Sequence, residues 1–523
     1  MKKRLFLALA ALMAVLLSGC MEGYQVRYED MVYERPDMTV IRDSYDAFCR
    51  VAAEETDPEA VLDAVYGFYG EYDWFYTCYS LADIRYCHDL TDIYWEKEYE
   101  YCMSLTDDVD ALLEEMYYVL AEAPSREALE GEDYFGPDFF DDYEGENRWD
   151  ATFRTLLEAE AELQAEYYAL SEEALEYEAG SRELYDALAE EMGQLLVELI
   201  GVRQDMARYW GYEDYSGFAS DFYYYRDYTA EETQALLEDI RVELVEVYRR
   251  MNDSGVWELA EEQDSEEATL EFVQTAAENM GGTVWEAFRR MESGKLYDIS
   301  YGENKYPASF EVYLTGYYAP FVFMDPSGTR YDRLTLAHEF GHFCKDYVSY
   351  GSYVGIDVSE VFSQGMEYMA LCYGEDTQEL TRLKMADSLC VYVEQAAFAE
   401  FERRMYGLTG KELSVEGLNR LYEEVALSYG FEAAEFDPRE YVEITHFYTN
   451  PMYIISYVVS NDAAMQLYQL ELEQPGGGLE RLTESLASEE AYFLAFLEEV
   501  QLDSPFAQGR IRAVRETFET VFG

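Results

Sequence analysis

Thr335-Leu336-Ala337-His338-Glu339-Phe340-Gly341-His342 is the stretch on which the reading of this 523-residue chain turns. It contains two of the only four histidines present. Histidines four apart share one face of an α-helix, because about 3.6 residues make a turn. That face can offer two imidazole nitrogens to one zinc ion, and Glu339, next to the first of them, can serve as general base toward a metal-held water. His338, His342 and Glu339 are therefore the first candidate site residues, provided the flanking sequence builds the right surroundings.

Upstream, Phe310 to Gly316 and Ala319 to Met324 are short, aromatic and β-branched, and read as strands. Asp325-Pro326-Ser327-Gly328 then makes a turn, and a helix is expected from about Tyr331 through His342. Strand, turn and metal-binding helix is the order expected of a zincin, in which an edge strand beside the metal holds extended peptide by main-chain hydrogen bonds. Downstream, Gly351 and Gly355 turn the chain into a second helix, Asp357 to Glu367. A third ligand is needed to leave one position for water. Glu360, 18 positions after His342, is that candidate, because an antiparallel second helix would carry it back to the metal. Glu367, on the same face two turns later, is the alternative ligand or a hydrogen-bonding partner to one.

These residues carry a family resemblance. Gly328-Thr329, Asp332 and Thr335 to His342 resemble the metal-binding core of the oligoendopeptidase F and thimet oligopeptidase family. Ser359-Glu360-Val361 with Ser363, Gln364 and Glu367 resembles its third-ligand helix. Arg203, Ala207, Gly211-Tyr212 and Tyr215 match upstream. His446-Phe447-Tyr448, Pro451, Tyr453 and Tyr457 are similar to its substrate loop and tyrosine cluster. The likeness implies a mainly α fold, a helical ellipsoidal gluzincin with a deep substrate channel and a small β-sheet beside the helix of His338 and His342. It implies one zinc ion on His338, His342 and Glu360, and short unfolded peptides as substrates. It also implies that His446, Tyr453 and Tyr457 act on the substrate and on the oxyanion of the tetrahedral intermediate. Tyr453 and Tyr457 are four apart, so one helical face would present both hydroxyls to developing negative charge. The chain departs from the pattern at Ile455, where another tyrosine is common, and in the short connection from His342 to Glu360. Its tyrosine-rich N-terminal half has no residue-by-residue counterpart, and most relatives are cytoplasmic.

This chain opens instead with Lys2, Lys3 and Arg4, an apolar run from Leu5 to Leu17, and Leu17-Ser18-Gly19-Cys20. Basic start, short apolar core and small residues read as a secretory signal. The ending resembles a bacterial lipobox, which implies that Cys20 becomes the lipidated N-terminus and that the protein is anchored outside the cytoplasm through that lipid alone. With 109 acidic against 37 basic residues the net charge is −72, which repels nucleic acid phosphates and anionic lipid and excludes both as partners. Seven further cysteines show no CxxC spacing, so a thiolate metal site is not expected and no bridges are assigned. Cys344, two positions past His342, should point away from the metal.

Helical patterns run from about Asp150 to Arg203 and from about Ala230 to Met251, with loops expected at Ser125 to Asn147 and Gln474 to Gly478. The expected organisation is a signal peptide at 1–19, an N-terminal helical region at 20–200 and a zinc metallopeptidase domain at 201–523. The expected function is zinc-dependent endopeptidase action at the outer face of a bacterial membrane. The alternatives are another gluzincin, an aminopeptidase or dipeptidyl carboxypeptidase, and a lipid-anchored peptide-binding protein without catalysis. Oligomeric state is not legible, and His88 has no assigned role.

Overall fold

The computed structural model describes residues 26–131, 134–137, 139–143, 151–176, 182–432 and 436–523. The signal peptide and Cys20 lie outside the described residues. The described residues are 70% helical and include one small mixed sheet.

Near the N-terminus, α1 (Met38–Glu54), α2 (Pro58–His88), α3 (Ile93–Met103) and α4 (Thr106–Ala121) pack together. The start of α2 is set by Asp57, whose carboxylate accepts the Glu59 N–H, and by Pro58, whose missing N–H costs nothing in the first turn. Ile41, Phe48, Val65, Phe68, Phe75, Val109 and Met116 form a core of their own there. The helical pattern of Asp150 to Arg203 becomes two helices, α5 (Ala151–Glu176) and α6 (Arg182–Trp210), packed against each other. Helix α6 runs unbroken through position 200, where the sequence reading divides the chain. The expected loop at Ser125 to Asn147 contains a helical turn at Arg126–Leu129 and a 3-10 turn at Phe139–Tyr143 among its described residues.

The sheet has the order β1-β3-β2, with β1 (Tyr297–Asp298) parallel and β2 (Ser309–Leu314) antiparallel to β3 (Ala319–Met324). Strand β3, buried along its whole length, is central; β2 is an edge strand, and Phe310 stacks on its register partner Phe323 at 4.9 Å. After β3 the Asp332 carboxylate accepts the Ser327, Gly328 and Thr329 N–H groups, closing the turn and opening α7 (Asp332–Ser349). Gly328 sits at φ +75°, a left-handed conformation that glycine adopts without strain. Helix α7 ends at Tyr350 and Gly351, and α8 (Ile356–Tyr373) returns along it. Most side chains of α8 are buried all round the helix, so it is a core helix, wedged between α7 and α10 (Ile455–Glu473), with α9 (Gln378–Met405) alongside. Cys344 is fully buried in this core.

Candidate active site

The two ligand-bearing helices meet at Gly341. A Cβ there would lie 2.5 Å from the Phe362 carbonyl oxygen and 2.6 Å from the Ser363 Cα, so only glycine lets α7 and α8 approach so closely. That approach places the ligand atoms of His338, His342 and Glu360 within 4.8 Å of one another. Two imidazoles and a carboxylate at this separation match a three-ligand site for one divalent cation.

The surrounding hydrogen bonds orient each group. His338 Nδ1 lies 2.9 Å from Glu367 Oε1, leaving Nε2 turned toward Glu360, 3.5 Å from its Oε2. A carboxylate on the outer nitrogen of a ligand histidine fixes its tautomer and raises its basicity. Glu367 is thus the partner of a ligand rather than a member of the ligand cluster. Its other oxygen is 2.7 Å from Lys384 Nζ, which also reaches Asp387 Oδ2 at 3.0 Å, and Tyr331 donates to Asp387 Oδ1 at 2.8 Å. Burial alone would raise the Glu367 carboxyl, but Lys384 and His338 hold it below its ordinary value. Sequence reasoning missed Lys384, Asp387 and Tyr331, which no local pattern marks.

Ser363 Oγ donates to Glu360 Oε2 at 3.0 Å and the Tyr453 hydroxyl to Glu360 Oε1 at 3.2 Å. Ser359 Oγ is 3.3 Å from His342 Nδ1. In the protein alone, burial depresses His342 to about 4, whereas at His338 the Glu367 hydrogen bond and nearby carboxylates outweigh burial and lift it to about 9. Burial, aided by the Glu360 and Glu367 charges and opposed by His338, raises Glu339 to about 7.

His446, Tyr453 and Tyr457 are brought together, with the Tyr453 hydroxyl against Glu360. His446 Nε2 is 3.2 Å from the Tyr457 hydroxyl, and the two tyrosine rings are 5.1 Å apart. They do not share one helix as the spacing suggested. Tyr453 precedes α10, in a turn whose carbonyl accepts the Ser456 N–H, and only Tyr457 lies within the helix. Burial raises both hydroxyls, Tyr457 to about 12 and Tyr453 further, and lowers His446. At neutral pH all three are uncharged, and the tyrosines are hydrogen-bond donors. Ile455, at the position where the resemblance expects a tyrosine, is buried in the core. His88, remote in sequence from this cluster, pairs with Asp298 at 2.6 Å.

Residues 28–149 match the peptidase M3 N-terminal domain. That match covers the N-terminal part of the chain, and the likeness of the remainder is one of fold. The chain is similar over its length to solved structures of that architecture. With Pz peptidase A bound to an inhibitor it shares 18% identity at a TM-score of 0.77, covering 95% of this chain and 99% of the other. With a protein of Bacillus anthracis str. Ames named as an oligoendopeptidase F it shares 18% at 0.75, covering 96% and 98%. The oligoendopeptidase-F of Enterococcus faecium aligns at 0.54 with 16% identity, covering 93% and 98%. No curated protein matches the sequence significantly.

Proposed function

We propose that this chain is a zinc-dependent endopeptidase acting on short unfolded peptides outside the cytoplasm. One observation carries the reading: two histidines and a glutamate from crossing helices converge beside a buried glutamate and a tyrosine hydroxyl. His338, His342 and Glu360 would hold the metal, with Glu367 fixing His338. Zinc there supplies Lewis acidity toward a peptide carbonyl and a lowered pKa for water.

Glu339, raised to about 7 by its buried position, accepts a proton from the attacking water and passes it to the leaving amine. Tyr457, and Tyr453 once its hydroxyl turns from Glu360, donate hydrogen bonds to the oxyanion, a contribution of about 2–4 kcal/mol for one well-placed donor. His446, held neutral and hydrogen-bonded to Tyr457, orients that hydroxyl and contacts the peptide. An extended substrate lies along the edge strand β2. Export and lipid attachment at Cys20 rest on the basic start, the apolar run and Leu17-Ser18-Gly19-Cys20. Among the described residues no helix is long and apolar enough to cross a membrane.

The test uses Glu339→Gln. With zinc content unchanged, cleavage of a quenched-peptide library should fall at least a thousandfold. Ordinary cleavage by the zinc-loaded variant would sink the mechanism. Product masses from blocked and unblocked peptides separate endopeptidase from exopeptidase action.

A further inference from the structure

Two buried arginines outside the metal cluster end on the backbone of the segment that carries His446, Tyr453 and Tyr457. Arg203, on α6 and fully buried, donates from Nη1 to the Phe447 carbonyl at 2.6 Å and from Nη2 to the Tyr448 carbonyl. Its Nε is held by Glu160 of α5 at 2.6 Å, and Nη1 also reaches the Tyr406 hydroxyl at 3.1 Å. Glu160, Gln164 and Tyr167 lie on one face of α5, and all three serve this contact. Gln164 donates to the Tyr448 carbonyl at 2.9 Å, and the Tyr167 ring stacks on Tyr448 at 3.7 Å.

Arg226 holds the other end. Its Nη2 donates to the Met452 carbonyl at 2.7 Å and to Ser456 Oγ at 3.0 Å. Its Nε lies 3.5 Å from Asp357 Oδ2, which also accepts from Tyr228 at 2.9 Å. Asp357 is on α8, one turn before Glu360. Arg226 therefore ties the tyrosine segment directly to the helix of the carboxylate ligand.

Met452, where Arg226 takes hold, has φ +66°, a strained conformation for a side chain that is neither Gly nor Asn. Both of its backbone groups are pinned by buried ionisable side chains, the N–H by Glu402 at 2.6 Å and the carbonyl by Arg226. Such a conformation persists only where the surroundings over-determine it. A buried guanidinium costs several kcal/mol unless its donors are satisfied, and a chain with only 37 basic residues places two of them here. Their targets are main-chain carbonyls, so what they define is the path of the chain.

We infer that Arg203 and Arg226 are positioning residues that fix the His446–Tyr457 segment against the Glu360 helix, setting the tyrosine hydroxyls for the oxyanion. The inference rests on the peptidase reading. The planar fork of arginine bridges two acceptors, whereas lysine offers one compact charge and reaches only one of them at a time.

The test compares full-length, zinc-loaded wild type with Arg203→Met, Arg203→Lys, Arg226→Met and Arg226→Lys. Zinc content, Tm, hydrogen exchange of peptides covering 444–457, and kcat and KM on a quenched peptide are read for each. The expected result is unchanged zinc, exchange across 444–457 faster by at least tenfold, and kcat down at least tenfold with KM within threefold. The lysine variants should fall between wild type and methionine. A merely structural role would lower Tm while leaving kcat per folded molecule within twofold of wild type, and that outcome overturns the inference. Should a methionine variant fail to fold, the lysine variant at that position is judged by the same kcat and exchange criteria. A wild type that cleaves no peptide refutes the peptidase reading, and the exchange arm then decides alone: unchanged exchange across 444–457 overturns the inference.

Discussion

Glu360 and Glu367 are two turns apart on one helix, and the structure gives them opposite tasks. Glu360 faces both histidines, whereas Glu367 sits behind His338 and is neutralised by Lys384. Glu360→Ala should therefore abolish stoichiometric zinc binding, while Glu367→Ala should weaken it about 10–100-fold without removing it. Zinc titration against a competing chelator checks both, and the reverse order would reassign the third ligand. His338, Glu339 and His342 were legible in the sequence because their geometry is local to one helix. Lys384 and Asp387 were not, because their contact with Glu367 depends on how α9 is rotated against α8, which no short-range pattern encodes.

At the scale of elements the site depends on the α7–α8 crossing at Gly341. Gly341→Ala would drive a methyl into the Phe362 carbonyl and Ser363 Cα, which cannot swing aside as a side chain tip can. Overpacking of this kind costs about 1–3 kcal/mol. Because it pushes Glu360 away from the histidines, zinc affinity should fall along with Tm. Titration beside thermal melting of the metal-free protein separates the two effects; full zinc affinity with only a lowered Tm would place the strain elsewhere. Strands β2 and β3 and both candidate ligand helices were readable because turn residues punctuate them: β3 spans the expected Ala319 to Met324, and β2 the expected stretch to within two residues at its end, whereas the two-residue β1 carries no such pattern. The placement of Tyr453 was not, since helical spacing also fits a turn that leads into a helix. Helix α10 begins only at Ile455, after a segment whose shape is imposed by Arg226 and Glu402 from distant parts of the chain.

For the molecule as a whole, charge dominates its response to solvent. Glu339 and Glu402 are both raised by burial from 4.5 to about 7. Between each unfolded and folded value the native state binds more protons than the unfolded chain, so stability falls as pH rises through that window. Repulsion among the charges behind the net −72 acts in the same direction. The metal-free protein should melt at a higher temperature at pH 6 than at pH 8, and added salt should raise the pH 8 value; calorimetry with a chelator present checks both. The mainly helical class was legible from composition and periodicity. The dependence of the tyrosine segment on α5 and α6 was not, because Glu160, Arg203 and Phe447 are brought together only by the finished fold. That separation has a kinetic consequence. The three proposed metal ligands fall within 23 consecutive residues, whereas Arg203 and Phe447 are 244 apart. Short loops close sooner than long ones. On refolding with Co²⁺ in place of zinc, the ligand-field spectrum should return before peptide cleavage does, so the chain passes through a form that holds its metal and is not yet an enzyme.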